Sequence, residues 1–185
     1  VPLMIATTSP LPAGTTGAPY SQTLSPAGGL APYSWSITGT PPAGLNFANG
    51  TLSGTPSAAG TFSNLSIQVF DSSTPPQNFQ RNFSLTINAA LTITTSSLPP
   101  GVTGTAYSQT LVSAGGAAPY TWSIVGSLPP GLMLNGATIT GTPNAVGSAS
   151  FTVKVTDGSG QTAQKDLSIS VLTPLIITTS SPLPS

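Results

Sequence analysis

The chain has 185 residues, of which only three are basic and three acidic, and it contains neither histidine nor cysteine. Nucleic-acid binding, which depends on many Lys and Arg contacts to phosphates, is therefore excluded, as are disulfides and zinc sites built on Cys and His. Asp is the only acidic residue type, and no apolar run approaches the roughly 20 residues of a membrane helix, so we expect no enzyme, no cofactor and no membrane span in this segment.

A repeated sequence divides the chain. Residues 20–37 read YSQTLSPAGGLAPYSWSI, and residues 107–124 read YSQTLVSAGGAAPYTWSI. Self-similarity of this kind is typical of tandem modules. We predict a first repeat over residues 2–89 and a second over residues 90–173, with almost no linker between them.

Within each repeat, apolar residues alternate with Ser, Thr and other polar residues, as in strands that bury one face. Clusters of Gly and Pro separate the runs. The second repeat contains seven predicted strands, at residues 91–95, 106–112, 120–125, 132–134, 138–141, 150–156 and 164–171. Seven short strands in a module of this size predict a β-sandwich, so the fold class is all-β.

Two aromatic pairs occupy equivalent places in the repeats, Tyr33 with Trp35 and Tyr120 with Trp122. Side chains two positions apart share one face of a strand. Such a pair could form an exposed platform that stacks on sugars. We interpret all four residues instead as core anchors between the two sheets.

Three N-glycosylation sequons lie in the first repeat, at Asn49, Asn64 and Asn82, and the second repeat has none. If the source organism glycosylates Asn, these residues are predicted surface attachment points.

A third copy of the pattern begins near the C-terminus. The stretch PLIITTSSPLPS at residues 174–185 repeats PLMIATTSPLPA at residues 2–13. Leu175, Ile176 and Ile177 therefore form either the first strand of a third repeat or a strand donated to a neighbouring copy, as in β-strand addition. Head-to-tail contacts of the second kind do not close, and they build filaments.

Several motifs recur in the same order in both repeats: Gly-x-x-Tyr-Ser-x-x-Leu, Gly-Gly, Pro-Tyr-x-Trp-Ser-Ile, Gly-Thr-Pro and a strand that ends in Asp71 or Asp157. In these motifs the chain resembles the putative-Ig repeat family, which comprises Ig-like and cadherin-like modules found in tandem in large secreted and surface proteins of bacteria and archaea. The resemblance implies tandem Ig-like seven-stranded sandwiches with short linkers, and an extracellular or cell-surface location.

The resemblance also implies a candidate metal site. Asp71 and Asp157 stand where cadherin-like modules place a calcium ligand near a domain junction. Calcium takes about six to eight oxygen ligands, usually including several carboxylates, and each repeat offers one Asp here. The alternative is an Asx turn, in which the carboxylate accepts hydrogen bonds from the backbone of a tight connection. We favour the turn and keep calcium as the other interpretation.

Composition, repeats and resemblance together indicate a non-enzymatic structural repeat segment of an extracellular fibre, stalk or adhesin. Its expected partners are adjacent repeats or other copies of the chain, contacted head to tail. The alternative function is a carbohydrate- or protein-binding Ig-like module of a larger secreted protein, with surface glycans or proteins as partners. An exposed row of aromatic side chains would favour that alternative.

Overall fold

The alternating residues form strands throughout the computed structural model, which describes residues 1–176. The chain divides into two compact units, unit 1 being Val1–Ala90 and unit 2 beginning at Leu91. The strands of unit 1 are β1 (Met4–Ile5), β2 (Gly14–Thr15), β3 (Tyr20–Thr23), β4 (Pro26–Ala27), β5 (Ser34–Thr38), β6 (Leu45–Ala48), β7 (Thr51–Gly54), β8 (Gly60–Phe70) and β9 (Asn78–Asn88).

Unit 2 repeats this order of elements. Its strands are β10 (Thr92–Ile93), β11 (Gly101–Val102), β12 (Tyr107–Thr110), β13 (Ser113–Ala114), β14 (Thr121–Gly126), β15 (Leu132–Asn135), β16 (Thr138–Gly141), β17 (Gly147–Thr156) and β18 (Thr162–Leu172). Residues 1–176 contain no helix of the length and apolar character needed to cross a membrane.

Each unit is a sandwich of a four-stranded and a three-stranded sheet. In unit 1 the sheets have the orders β2-β9-β8-β5 and β3-β7-β6, and in unit 2 the orders β11-β18-β17-β14 and β12-β16-β15. The first strand of each unit pairs in a separate two-stranded sheet, β1 with β4 and β10 with β13. The predicted all-β class is therefore confirmed.

The cores lie between the sheets and draw on the alternating positions. In unit 1, Leu52 of the smaller sheet and Ile67 and Phe83 of the larger one have no exposed surface. Ile139 and Val153 hold the equivalent places in unit 2 and are also fully buried. Because these side chains come from facing sheets, burying them holds each sandwich together.

Short strands beyond the seven predicted ones complete each unit. β2 and β11 lie parallel to the last strand of their unit, with Gly14 opposite Ile87 and Gly101 opposite Val171. The predicted first strand at 91–95 is consequently short, because the chain leaves β10 and joins the larger sheet only at β11. Pairings of two residues carry no alternation that a sequence pattern could reveal.

Three of the four predicted core anchors pack against the cores, and the fourth, Tyr120, does not. Trp35, Trp122 and Tyr33 are half-buried and pack against the cores, whereas Tyr120 is 41% exposed. These side chains are only partly covered because they lie on β5 and β14 or directly before these strands. Each of these strands is the edge of its four-stranded sheet, so neighbours cover its side chains from one side only.

Candidate functional site

A buried carboxylate follows the long strand β8 in unit 1. Asp71 is 6% exposed, and its Oδ1 accepts hydrogen bonds from the Ser73 hydroxyl (2.6 Å), the Ser73 backbone nitrogen (3.2 Å) and the Gln77 nitrogen (2.7 Å). Its Oδ2 accepts one from the backbone nitrogen of Leu30 at 3.1 Å. The carboxylate therefore fastens the loop between β8 and β9 to the loop between β4 and β5.

Unit 2 has the same arrangement. Asp157 is 5% exposed, and its Oδ1 accepts hydrogen bonds from the Ser159 nitrogen (2.9 Å), the Ser159 hydroxyl (2.8 Å) and the Gln161 nitrogen (2.8 Å). Its Oδ2 accepts one from the nitrogen of Ala117 at 2.8 Å. We call residues 71–77 and 157–161 the Asp loops.

These hydrogen bonds favour the charged form of both acids. The Ser73 hydroxyl is the main cause that lowers the pKa of Asp71; burial raises the pKa, and the bonds from the Gln77, Ser73 and Leu30 nitrogens lower it further. For Asp157, burial is the largest single influence and raises the pKa, but the combined bonds from Ala117, Ser159 and Gln161 outweigh it, so the pKa is lowered. Both acids are therefore ionised at neutral pH.

The residues around these carboxylates do not fit calcium. Each unit brings one carboxylate to the place, and residues 1–176 contain no group of three or more His, Cys, Asp or Glu able to hold a metal ion. The hydrogens of four donors point at the oxygens of each carboxylate, where a cation would have to bind. Since calcium requires oxygen ligands on all sides, the arrangement is that of the predicted Asx turn.

A second site is the segment that begins unit 1, residues 2–13, which we call the first-strand segment. Leu3, Ile5 and Leu11 of this segment are buried in the core, at 5%, 1% and 3% exposure. The Arg81 guanidinium on β9 donates hydrogen bonds to the carbonyl oxygens of Ile5 (3.2 Å) and Thr7 (2.9 Å). Arg81 therefore clamps this segment onto the larger sheet.

Side-chain hydroxyls hold the same segment at two further points. The Oγ1 of Thr7 accepts a hydrogen bond from the nitrogen of Ser25 at 2.8 Å, and the Oγ of Ser9 accepts one from the nitrogen of Ser84 at 3.1 Å. The segment is thus tied to β9 and to the chain before β4.

The predicted donated strand contrasts with this segment. Leu175 is 97% exposed and Ile176 is 73% exposed, while Ile177 lies outside the described residues. By the repeat, Leu175 corresponds to Leu3 of unit 1 and to Leu91 of unit 2, which are 5% and 8% exposed. This position is therefore a core position in both units, whereas Leu175 belongs to neither core cluster.

A groove of about 450 Å³ opens beside the exposed Tyr120 on unit 2. It is lined by Tyr120, Thr121, Trp122, Leu134, Gly136 and Ala137. In unit 1 an aromatic ring lies against the equivalent indole, because the ring of Phe47 meets Trp35 edge-on with centroids 6.4 Å apart. Leu134 takes the place of Phe47 in unit 2, and its aliphatic side chain makes no ring contact with Trp122. We call this feature the aromatic groove.

The turns beneath the two indoles also differ. In unit 1 both turn residues have positive φ, 50° at Asn49 and 78° at Gly50, and a Cβ on Gly50 would lie 2.8 Å from the Trp35 indole. In unit 2 Gly136 has φ 58° and Ala137 follows it with a side chain. At the position where Gly50 approaches the Trp35 indole closely, unit 2 has Ala137 with its methyl group. The turn of unit 2 therefore differs from that of unit 1 in its contact with the Trp side chain.

The three predicted glycosylation residues are all exposed. Asn49 lies in the turn between β6 and β7, Asn64 at the irregularity in β8, and Asn82 on β9 opposite Ser66. Their side chains are therefore accessible to a modifying enzyme in the folded unit.

Comparison with known families gives one match that covers nearly the whole chain. The model of the family described as "Putative Ig domain" matches residues 2–88 and again residues 89–172. No curated protein matches the chain.

Solved structures of several proteins are similar to this chain. Extracellular domains 3–5 of Drosophila OTK are 10% identical with a TM-score of 0.57, over 92% of this chain and 62% of that one. The titin I-band fragment I67–I69 is 10% identical with a TM-score of 0.52, over 92% and 66%. The protocadherin γB4 extracellular domain is 16% identical with a TM-score of 0.43, over 92% and 33%. The chain thus spans between a third and two thirds of the length of these structures.

Proposed function

Since the chain belongs to the Putative Ig domain family, of which it holds two tandem copies, we propose that it is a non-enzymatic structural repeat segment of an extracellular fibre, stalk or adhesin that assembles end to end. Two of its three acidic residues, Asp71 and Asp157, accept hydrogen bonds from the backbone of the Asp loops. These contacts support a structural rather than a catalytic role for the two carboxylates. The extracellular domains of OTK, which have the same fold, support the location.

The observation that carries the proposal is the direct repetition of one sandwich, over residues 2–88 and 89–172. The exposed apolar side chain of Leu175 supports it as a contact surface. A leucine that is 5% exposed in unit 1 and 8% exposed in unit 2 is 97% exposed at its third occurrence. Burying a leucine side chain is worth about 1.5–3 kcal/mol, so a partner that covers Leu175 and Ile176 gains stability. Leu3 and Leu91 already fill the places for this pattern in units 1 and 2. The partner that we propose is therefore an adjacent repeat or another copy of the chain that covers the exposed side chains with a different surface.

The neutral surface supports association. Charged residues make up 3% of the chain and its net charge is zero. Charge repulsion, which keeps most soluble proteins apart, is therefore nearly absent. Contacts between copies would rest on strand edges, hydroxyl hydrogen bonds and apolar side chains, and we expect them to depend little on salt.

Light scattering of the purified chain over a range of concentrations tests this function. We expect a mass that rises with concentration, and filaments in electron micrographs. Leu175→Asp should remove the assembly, whereas Met133→Asp, at a 63% exposed residue of β15, should preserve it. A chain that stays monomeric at every concentration, or a Leu175→Asp variant that assembles like the wild type, contradicts the proposal.

A second candidate function, binding of a neutral carbohydrate, is favoured by the aromatic groove. Its lining combines the rings of Tyr120 and Trp122 with the Thr121 hydroxyl and includes no charged side chain. Aromatic rings can cover the apolar C–H face of a sugar, while hydroxyl and backbone groups bond to its rim. A charged ligand would find no counter-charge among these residues.

Titration with neutral oligosaccharides, followed by the fluorescence of Trp122, tests the second candidate. Tyr120→Ala should abolish the response, and Leu134→Phe should reduce it by filling the groove as Phe47 does in unit 1. Val125→Ala, at a 59% exposed residue of the same strand, is the control and should bind as the wild type does. Unchanged titrations with Tyr120→Ala would exclude this groove as a sugar site.

A further inference from the structure

We propose that residues 91–100, which begin unit 2 and which we call the unit 2 segment, detach from their unit while the rest of unit 2 stays folded. The equivalent segment of unit 1 stays attached under the same conditions. The detachment is a property of the folded unit and does not depend on assembly. Its use, a first step of extension under load, rests on the proposed function.

On one side, the two segments are held alike. In unit 1 the nitrogen of Ala6 donates a hydrogen bond to the carbonyl oxygen of Ser25 at 2.8 Å. In unit 2 the nitrogen of Thr94 donates one to the carbonyl oxygen of Val112 at 2.9 Å. The nitrogens of Ser25 and Val112 each donate in turn to a threonine hydroxyl of the segment, both at 2.8 Å. Bonds on this side therefore do not distinguish the two units.

On the other side, which faces the last strand of the larger sheet, only the segment of unit 1 is held. Arg81 of β9 donates hydrogen bonds to the carbonyl oxygens of Ile5 and Thr7. The nitrogen of Leu11 donates another to the carbonyl oxygen of Ser84 at 2.8 Å. Within the described part of unit 2, no hydrogen bond joins the unit 2 segment to β18. This segment is thus bonded along one side only.

The chain of unit 2 is one residue shorter here, which explains the missing bonds. Ile5 and Leu11 are six positions apart, whereas the corresponding Ile93 and Leu98 are five apart. Leu11 is 3% exposed, but Leu98 is only partly buried. A groove of about 310 Å³, lined by Leu98 from the segment and by Ser168 of β18, lies where the segment of unit 1 is bonded to β9. The shorter chain therefore leaves a gap beside β18.

The residue on the last strand differs as well. Lys165 stands two positions before the buried Leu167, as Arg81 stands two positions before the buried Phe83. An ammonium group is a single point charge and lacks the planar fork with which a guanidinium binds two carbonyl oxygens. The spacing and the residue type thus weaken the same side of the unit 2 segment.

The detachment can end at β11. This strand lies parallel to β18 with Gly101 opposite Val171, and the nitrogen of Thr103 donates a hydrogen bond to the carbonyl oxygen of Leu172 at 3.0 Å. β10 belongs to neither of the two main sheets of unit 2, so the segment can leave without breaking them. Tension at the start of unit 2 would then extend ten residues, by at most about 35 Å, while the sandwich stays closed.

Hydrogen exchange at two matched amides tests the detachment. The amides of Ala6 and Thr94 make the same hydrogen bond in their units. We expect the Thr94 amide, corrected for its intrinsic rate, to exchange at least about tenfold faster, because the bonds from Arg81 alone are worth about that factor in an opening equilibrium. The amide of the fully buried Val153 on β17 should stay protected. Equal protection at Ala6 and Thr94 overturns the inference, and so does a Val153 amide that exchanges as fast as Thr94, since the whole unit then unfolds.

A variant that rebuilds the arrangement of unit 1 in unit 2 tests the cause. Insertion of one proline between Ser97 and Leu98, combined with Lys165→Arg, gives unit 2 the spacing and the guanidinium of unit 1. Exchange at Thr94 should slow to the rate of Ala6. A folded variant in which Thr94 exchanges as fast as in the wild type contradicts the inference.

The reverse change does not depend on the folding of that insertion variant. Arg81→Lys removes the fork from unit 1, so exchange at Ala6 should accelerate by about tenfold, towards the rate of Thr94. Wild-type exchange at Ala6 in Arg81→Lys would show that the contacts to β9 do not hold the segment.

Single-molecule pulling on each unit tests the response to load, because the chain has no cysteine of its own and handles can be placed at will. With Ala90→Cys and Thr173→Cys, unit 2 should lengthen by at most about 35 Å before it unfolds. With Val1→Cys and Ala89→Cys, unit 1 should unfold without this early step. A unit 2 that unfolds in a single step overturns the inference and leaves end-to-end assembly untouched. A chain that shows the early step but does not assemble contradicts the proposed function alone.

Discussion

The carboxylate of Asp157 accepts a 2.8 Å hydrogen bond from the backbone nitrogen of Ala117, forty residues earlier in the chain. The bond joins the Gly-Gly turn before β14 to the loop after β17, and Asp71 makes the same connection to Leu30 in unit 1. Each unit therefore closes one end of its sandwich with its own acid.

Replacing Asp157 by Asn should lower the thermal midpoint of unit 2. An amide has one oxygen to accept hydrogen bonds, and its NH₂ group would face either the Ala117 nitrogen or the Ser159 and Gln161 nitrogens, all of which are donors themselves. Asp166→Asn is the matched control, because Asp166 is exposed on β18 and its loss should change stability by no more than about 0.5 kcal/mol. Circular dichroism melts of the two variants provide the comparison; equal midpoints would rule out a structural role for the Asp157 carboxylate.

Acid should destabilise both units through these carboxylates. The pKa values of Asp71 and Asp157 are lowered from 3.8 in the folded state, so the unfolded chain takes up protons first as the pH falls. The stabilisation from these two carboxylates is therefore complete above about pH 5. It declines once the pH falls below the unfolded-state pKa of about 3.9, and it is lost when the pH passes the lower folded-state pKa values. Urea unfolding between pH 2 and pH 8 measures this dependence. The double variant Asp71→Asn with Asp157→Asn should show a nearly flat curve, and a wild-type curve just as flat would contradict the prediction.

Gly116 should not tolerate a side chain. A Cβ on this residue would lie 2.7 Å from Oδ2 of Asp157 and 3.0 Å from Cδ1 of Leu91, at a φ of +69°. Gly104→Ala is the matched control, since Gly104 has φ +76° and nothing within 4 Å of the added Cβ, so it bears only the backbone cost of roughly 1–2 kcal/mol. We expect Gly116→Ala to lose about 1–3 kcal/mol more than this control in urea unfolding, because it also overpacks the site. Similar losses in both variants would show that the Asp loop yields to the methyl group.

Residue patterns account for the fold better than for the surface. Alternation at Val153 and Val155 suffices to predict a strand with one buried face, because both residues point into the core. The short parallel strand at Gly101–Val102 escapes prediction, because two residues show no period.

The aromatic groove also escapes prediction, for a different reason. Trp35 and Trp122 stand in nearly identical motifs, yet their neighbours from another strand differ, Phe47 in unit 1 and Leu134 in unit 2. Contacts of that kind lie across the sandwich and are not visible in the local sequence. The contact of Arg81 with the first-strand segment could not be predicted either, because the atoms that it contacts are more than seventy positions away in the sequence.

Secretion from a host that attaches N-linked glycans should modify unit 1 alone. Asn49, Asn64 and Asn82 are exposed and lie in sequons, and the second repeat has no sequon. We expect a mass increase of up to three glycans that a glycosidase removes, with one glycan lost in each single Asn→Gln variant. Proteolytic peptides from unit 2 should carry none. A secreted chain of unmodified mass would show that these sequons are not used.

Replacing Arg81 by Met should loosen the first-strand segment of unit 1. The guanidinium donates hydrogen bonds to the carbonyl oxygens of Ile5 and Thr7 and stands 5.8 Å from the centroid of the Phe83 ring, whereas Met retains only the apolar stem. Hydrogen bonds from a charged group contribute about 1.5–3 kcal/mol, so we expect a loss of that order in the free energy of unfolding of unit 1. Lys165→Met is the matched control, because Lys165 is two positions before the buried Leu167 just as Arg81 is two before Phe83, and a lysine presents no planar fork for two carbonyls.

Urea unfolding in a Trp122→Phe background, where Trp35 reports on unit 1 alone, measures the first loss, and a Trp35→Phe background measures the control. The amide of Ala6, which bonds to the carbonyl oxygen of Ser25, should also exchange its hydrogen faster in Arg81→Met. If the Arg81 and Lys165 variants lose equal stability and Ala6 keeps its protection, the guanidinium is not what holds this segment.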